Sequence, residues 1–259
     1  MTISALFALA ALSGGPSKPV LIDDFQWKRA MAAGKTLEII GVNGPIEASG
    51  TGGREAEVTA VKRGRKSDPE SVRIEVVEYA GGVTICAVYP NARRDEENEC
   101  REGGKGRNNT RNNDVQVTFT IKVPDGVNFI ARTVNGEVVA RRLSGEVEAH
   151  SVNGDITVET TSYASATTVN GSIDAHVGST DWTDDAEFET VNGSITIDLP
   201  ASASMEVDAS TVNGSMNTDF PLTIRGKWGP RRMSGTVGKG GRTLSLSTVN
   251  GSMSLRKSQ

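Results

Sequence analysis

Apolar and polar residues alternate along most of this chain with a period of two, the spacing of strands that bury one face. The alternation is clearest on either side of recurring Asn-Gly dipeptides. Phe129, Ala131 and Thr133 precede one dipeptide, Val147, Ala149 and Ser151 the next, and Leu244, Leu246 and Thr248 the last. Beyond the dipeptides the apolar positions resume, as Ile156 and Val158, as Ile195, Ile197 and Leu199, and as Met253 and Leu255. Residues on the other face, such as Glu146, Glu148, Asp155 and Thr157, are polar. The pattern predicts many short strands, and only Phe25 to Ala33 reads as a short helix.

The dipeptides belong to a longer repeat. Val-Asn-Gly begins at Val42, Val134, Val152, Val169, Val191, Val212 and Val249, with degenerate copies at Leu143-Ser144-Gly145 and Met233-Ser234-Gly235. From residue 134 onward the copies, Leu143 aside, recur every 16–22 residues. Asn43-Gly44, Asn135-Gly136, Asn153-Gly154, Asn170-Gly171, Asn192-Gly193, Asn213-Gly214 and Asn250-Gly251 are therefore candidate corners, in which both residues tolerate positive φ. An antiparallel meander could use such turns, but other breakers lie midway between them, at Ser144-Gly145, Gly178-Ser179, Pro200 to Ser202 and Gly238 to Gly241. That favours an all-β, single-chain β-solenoid in which each coil holds strand, Asn-Gly corner, strand and a second corner. Successive corners at Asn170, Asn192 and Asn213 should then lie about 5 Å apart, and Ser252 to Leu255 should form an exposed edge strand guarded by Arg256 and Lys257. Residues 17–130 read as irregular coils of this fold with a long loop at 90–114, and residues 131–259 as a regular repeat continuous with them.

Composition narrows the class. Glycine is frequent, at 29 of 259 residues, and hydrophobic residues make up only 36%, which disfavours a helical bundle. The 28 basic and 32 acidic side chains nearly balance, against the basic excess of a nucleic-acid binder. Met1 to Leu12 carries no charge and runs into Ser13-Gly14-Gly15-Pro16, so residues 1–16 read as a signal peptide or its remnant, although the basic start is missing. An apolar segment packed on the domain is the alternative. No stretch is long enough to span a bilayer as a helix. Cys86 and Cys100, the only cysteines, suggest a disulfide in an exported chain; two buried free thiols are the alternative. Localisation is read as extracytoplasmic.

Candidate chemistry is sparse. No nucleophile elbow, zinc-binding His-Glu-x-x-His or phosphate-binding loop is present, and no cofactor is expected. Asp181, Asp184 and Asp185, beside Trp182, are a weak calcium-site candidate; for a carbohydrate-active enzyme they would serve with Arg225 or Arg231. His150 and His176 should point outward from different coils. The Asn-Gly-Ser sequences match a glycosylation pattern formally, but the turn already explains them and no glycan is assigned.

The Thr-Val-Asn-Gly-Ser-Ile blocks, with Gly-Gly-Val-Thr-Ile-Cys-Ala-Val-Tyr-Pro and Phe-Thr-Ile-Lys-Val-Pro-Asp-Gly-Val, resemble a bacterial β-strand-repeat, putative-adhesin family of unknown function, related to toast-rack envelope domains. The resemblance covers roughly residues 20 to 256. It implies a β-solenoid outside the cytoplasm, often at the cell surface. The regular repeat without a catalytic cluster points to a noncatalytic, adhesin-like interaction module whose partner is an unknown envelope protein or glycan. It brings no catalytic residues with it. A carbohydrate-active β-helix and a purely structural or stress-sensing component are the competing readings.

Overall fold

The computed structural model describes residues 22–93, 96–226 and 229–258. The leader read at residues 1–16 lies outside them. The first strands are β1 (Ile22–Ala30), β2 (Thr36–Ile40), β3 (Ile46–Gly50), β4 (Glu55–Arg63), β5 (Arg73–Tyr79), β6 (Gly82–Val88) and β7 (Gln116–Val123). The repeat region continues with β8 (Asn128–Arg132), β9 (Val138–Leu143), β10 (Val147–His150), β11 (Ile156–Thr160), β12 (Ala164–Thr167), β13 (Ile173–Val177), β14 (Ala186–Asn192) and β15 (Ile195–Leu199). The last six are β16 (Met205–Asn213), β17 (Met216–Thr218), β18 (Thr223–Arg225), β19 (Arg231–Val237), β20 (Thr243–Asn250) and β21 (Met253–Lys257). Two single-turn 3-10 helices, Pro69–Ser71 and Glu102–Gly104, are the only helical elements among the described residues.

The strands form two long sheets, ordered β1-β4-β7-β3-β9-β11-β13-β15-β21-β17 and β18-β19-β16-β20-β14-β12-β10-β8-β2-β6-β5. Each regular coil contributes one strand to each sheet across an Asn-Gly corner, and neighbouring coils pair in parallel, in register. This is the solenoid that the repeat predicts. Register stacks like on like: Ile46, Val138, Ile156, Ile173, Ile195, Met253 and Met216 form one inward ladder. Its counterpart on the other sheet is Ile39, Ala131, Ala149, Ala166, Phe188, Leu246 and Ala209. All of these residues are buried. Each fully buried isoleucine contributes about 1.5–3 kcal/mol, which no single coil could secure alone.

Three expectations need correction. Phe25 to Ala33 is not a helix. β1 covers most of it and pairs antiparallel with β4, while Phe25 and Trp27 pack on the core at strand spacing. That burial outweighs the helix propensity of the alanines and Met31. The coils also do not stack in chain order, since β20 lies between β14 and β16, and β21 between β15 and β17. Asn250 therefore separates Asn192 from Asn213, and the strand holding Ser252 to Leu255 is internal. The edges at that end are the three-residue strands β17 and β18, too short to invite association. Finally, Met233-Ser234-Gly235 is not a corner but lies within β19, antiparallel to β16. Leu143-Ser144-Gly145 sits at the opposite turn of its coil, between β9 and β10.

Candidate functional site

The seven Asn-Gly corners line one edge of the solenoid, and each residue of the repeat has a distinct task there. The asparagine amides form a continuous ladder. Asn135 donates to Asn43, Asn153 to Asn135, Asn170 to Asn153, Asn192 to Asn170, Asn250 to Asn192 and Asn213 to Asn250, each through Nδ2 to Oδ1 at 2.8–2.9 Å. All six bonds run the same way along the edge, so each amide polarises the next. At the start of the row, Asn43 Nδ2 reaches the Asn113 carbonyl at 3.4 Å.

At six of the seven corners, all but Asn43, the residue two before the asparagine turns inward and ties one coil to the next. Thr133, Ser151, Thr168, Thr190, Thr248 and Thr211 donate through their hydroxyls to the carbonyls of Gly44, Gly136, Gly154, Gly171, Gly193 and Gly251. From Gly154 onward the residue after the glycine serves the backbone at the corner. Ser172 N donates to Asp155 Oδ1, Ser194 N to Ser172 Oγ, Ser252 N to Ser194 Oγ and Ser215 N to Ser252 Oγ. The recurrence of Thr and Ser at these offsets was the sequence signal for both rows.

The glycines are required for a reason other than the one read from the sequence. Only Gly44 of the seven has φ in the left-handed region, at +123°, and none of the corner asparagines does. A Cβ on Gly136, Gly154, Gly171, Gly193, Gly251 or Gly214 would overlap the carbonyl of the stacked glycine in the neighbouring coil. Close backbone approach, and not turn type, selects glycine here.

What remains for solvent is valine and asparagine. Val134, Val152, Val169, Val191, Val249 and Val212 are each 38–43% exposed. They stand beside the amides at the strand spacing of about 4.8 Å. The ladder should respond to charge: Asn170→Asp removes the donor to Asn153 and sets two acceptors face to face. The folded state then favours the protonated carboxyl, so its pKa rises. Stability is retained at pH values below the ordinary aspartate pKa of about 3.9 and is lost as pH rises through the raised value. Urea midpoints at pH 3.5 and 7 check this, with about 1 kcal/mol of difference relative to the parent expected.

The loop between Pro90 and Asp114 is cross-linked by its own asparagines. Asn98, 4% exposed, donates to the carbonyls of Tyr89 at 2.9 Å and Asn109 at 3.1 Å, and its Oδ1 accepts from Asn91 Nδ2 and Asn109 N. Cys86 and Cys100 are joined, with their Cα atoms 5.7 Å apart. Beneath Gly104 lies Glu38, fully buried, accepting from Thr84 Oγ1 at 2.8 Å and Arg132 Nε at 3.1 Å. Sequence reasoning missed this pair, which is 94 residues apart and carries no motif. Tyr89 is buried as well, and desolvation pushes its phenol up to about 12 while its hydroxyl donates to the Val115 carbonyl.

The acidic corner does not converge. Asp185 Oδ1 accepts from Thr243 N, Asp184 Oδ2 from the Thr183 hydroxyl, and the backbone N–H of Asp181 donates to Ser179 Oγ. Trp182, 8% exposed, stacks edge-on against Tyr163 and donates Nε1 to the Ser179 carbonyl. Among the described residues no group of three His, Cys, Asp or Glu side chains could hold a metal ion. His150 on β10 and His176 on β13 belong to different sheets. His150 Nε2 is 3.9 Å from Glu148, beyond hydrogen-bond reach.

No helix among the described residues is long and apolar enough to cross a membrane. Residues 143–256 match the model of the family Toastrack DUF4097. No curated protein matches the chain. Among solved structures, the chain is similar to a putative cell adhesion protein from Clostridium sporogenes, at 13% identity over 93% of this chain and 100% of that one, with a TM-score of 0.47. It is also similar to a putative adhesin from Bacteroides fragilis, at 15% identity over 94% and 99%, with a TM-score of 0.38. The residues that match this family, 143–256, carry five of the seven stacked corners, from Asn153 to Asn250.

Proposed function

We propose that this chain is a noncatalytic interaction module of the cell envelope or surface, which holds an extended glycan or envelope protein along its Val–Asn edge. The observation that carries the reading is the edge itself, where seven in-register amides stand beside a row of exposed valines. Such an edge offers polar and apolar contacts at one fixed repeat, which suits a partner that is itself extended and periodic. Export is part of the proposal, with residues 1–16 as the leader, and the Cys86–Cys100 bridge supports it because disulfides persist in oxidising compartments. In the same reading, residues 17–130 form the irregular coils and residues 131–259 the regular ones.

The test is retention of the purified chain on immobilised envelope glycans, peptidoglycan fragments and envelope proteins. A variant carrying Val152→Gln, Val169→Gln and Val191→Gln, which removes the apolar row without adding charge, should fold normally, because these side chains already face solvent, and should lose retention. Retention equal to the parent's would remove the edge from consideration. Failure of every ligand to bind would favour a purely structural component.

A further inference from the structure

A cleft of about 850 Å³ lies between the turn after β4 and the segment leading into β7. It is lined by Arg63, Arg65, Lys66, Asn112, Asn113 and Asp114, among others. The three cations are exposed, and among the described residues no carboxylate lies in ion-pair range of any of them. Elsewhere in the N-terminal half, Lys28, Arg73, Arg101, Arg107 and Lys122 each pair with a glutamate.

The nearby acids are already engaged. Asp114 accepts the backbone N–H groups of Ser67 at 2.8 Å and Lys66 at 3.0 Å, and these bonds, Ser67's first, hold its carboxyl below the usual aspartate value. Asp68 accepts from Glu70 N, and Glu70 pairs with Lys62 at 3.3 Å. The carboxylates thus brace the loop, and Asn113 adds to the brace through Ser71 Oγ and Val115 N. Asn112 is held at φ +55°, one of two non-glycine residues in the left-handed region among those described. The outcome is a fixed cleft with unbalanced positive charge.

Its far wall leads onto the ladder. Asn112 and Asn113 also line a groove whose other side is Val42, Asn43, Val134 and Asn135, the first two corners of the stacked edge. Cationic cleft and amide row therefore form one track.

We infer that the track binds a linear acidic polysaccharide. Arg63, Arg65 and Lys66 would take its anionic groups, and the first corner asparagines its hydroxyls. Guanidinium and amide donors match those two kinds of group, and a polymer is needed to reach from one to the other. This rests on the proposed role of the edge and adds the sign and class of the ligand.

The experiment is retention of the full chain on polygalacturonate, on poly(glycerol phosphate) and on neutral dextran, at 50 and 500 mM salt. Binding to polygalacturonate, weakened by salt, absent from dextran, and lowered about tenfold in Arg63→Gln/Arg65→Gln/Lys66→Gln, is the expected result. Binding to poly(glycerol phosphate) alone, with the same loss, would assign the anion as phosphate and overturn the carboxylated polysaccharide. The control Arg101→Gln/Lys105→Gln removes two cations outside the cleft and should bind as the parent does. Equal loss in that control would reduce the effect to net charge and overturn the cleft. Unchanged binding in the triple variant together with loss in the valine-to-glutamine variant would overturn the cleft and leave the edge standing. The reverse pattern would keep the cleft and discard the edge. No retention on any acidic polymer would overturn the inference outright.

Discussion

Gly193→Ala is expected to lower the stability of the fold by about 2–3 kcal/mol, although it adds a single methyl group at a surface corner. The added Cβ would overlap the Gly171 carbonyl of the stacked coil, so either the corner or the parallel register on both sides must shift. Overpacking of rigid backbone costs this much, and nothing flexible at the contact can move aside. The control is Gly52→Ala, where a Cβ meets nothing within 4 Å and φ is not in the left-handed region. It should be neutral or slightly stabilising, since alanine restricts the unfolded chain more than glycine does. Gly193→Asn separates the two explanations of the corner. If left-handed φ were the requirement, asparagine would be accepted there; under close approach it should be at least as damaging as alanine. Urea midpoints for the three variants decide the matter, and a Gly193→Asn protein as stable as the parent would refute the packing account.

The same corner shows how far the sequence could be read. The period-two alternation specified which residues face inward, and the ladder from Ile46 to Met216 confirms it. Recurrence of Val-Asn-Gly specified a stacked edge. Stacking order was beyond its reach for a physical reason: the corners are chemically equivalent, so Asn250 offers the same amide as Asn213. Any coil can follow Asn192 without breaking the ladder. The choice is made by longer-range pairing, in which β16 joins β19 on one side and β20 on the other. The helix read at Phe25 to Ala33 failed because local propensity is a weak force beside the burial of Phe25 and Trp27. The cationic cleft was visible only as the short run Arg63, Arg65 and Lys66. Its significance depends on Asp114, Asp68 and Glu70 being occupied elsewhere, which is a property of the folded loop.

Removing the disulfide should have the second large effect. Cys86→Ala with Cys100→Ala is expected to cost about 3 kcal/mol, the chain-entropy value for a closure of this length. The loss should be local before it is global. β6 is buried along its whole length: Val83, Ile85 and Ala87 face the main core, while Thr84, Cys86 and Val88 face the covering loop. Cys86, Val88 and Cys100 form a small second core with Ile40 and Val77 packed against it, outside the sheet and separate from the solenoid interior. Nothing but the loop shields that patch, so unpinning it exposes apolar surface and also uncovers Glu38 and Arg132 beneath Gly104. Hydrogen exchange should accelerate across residues 96–110 and in β5 and β6, while the corner amides from Asn153 to Asn192 keep their protection. The freed sheet face should also make the variant associate at high concentration. Unchanged exchange in the loop, with an unchanged unfolding midpoint, would mean that the asparagine cross-links around Asn98 hold the loop without the bridge.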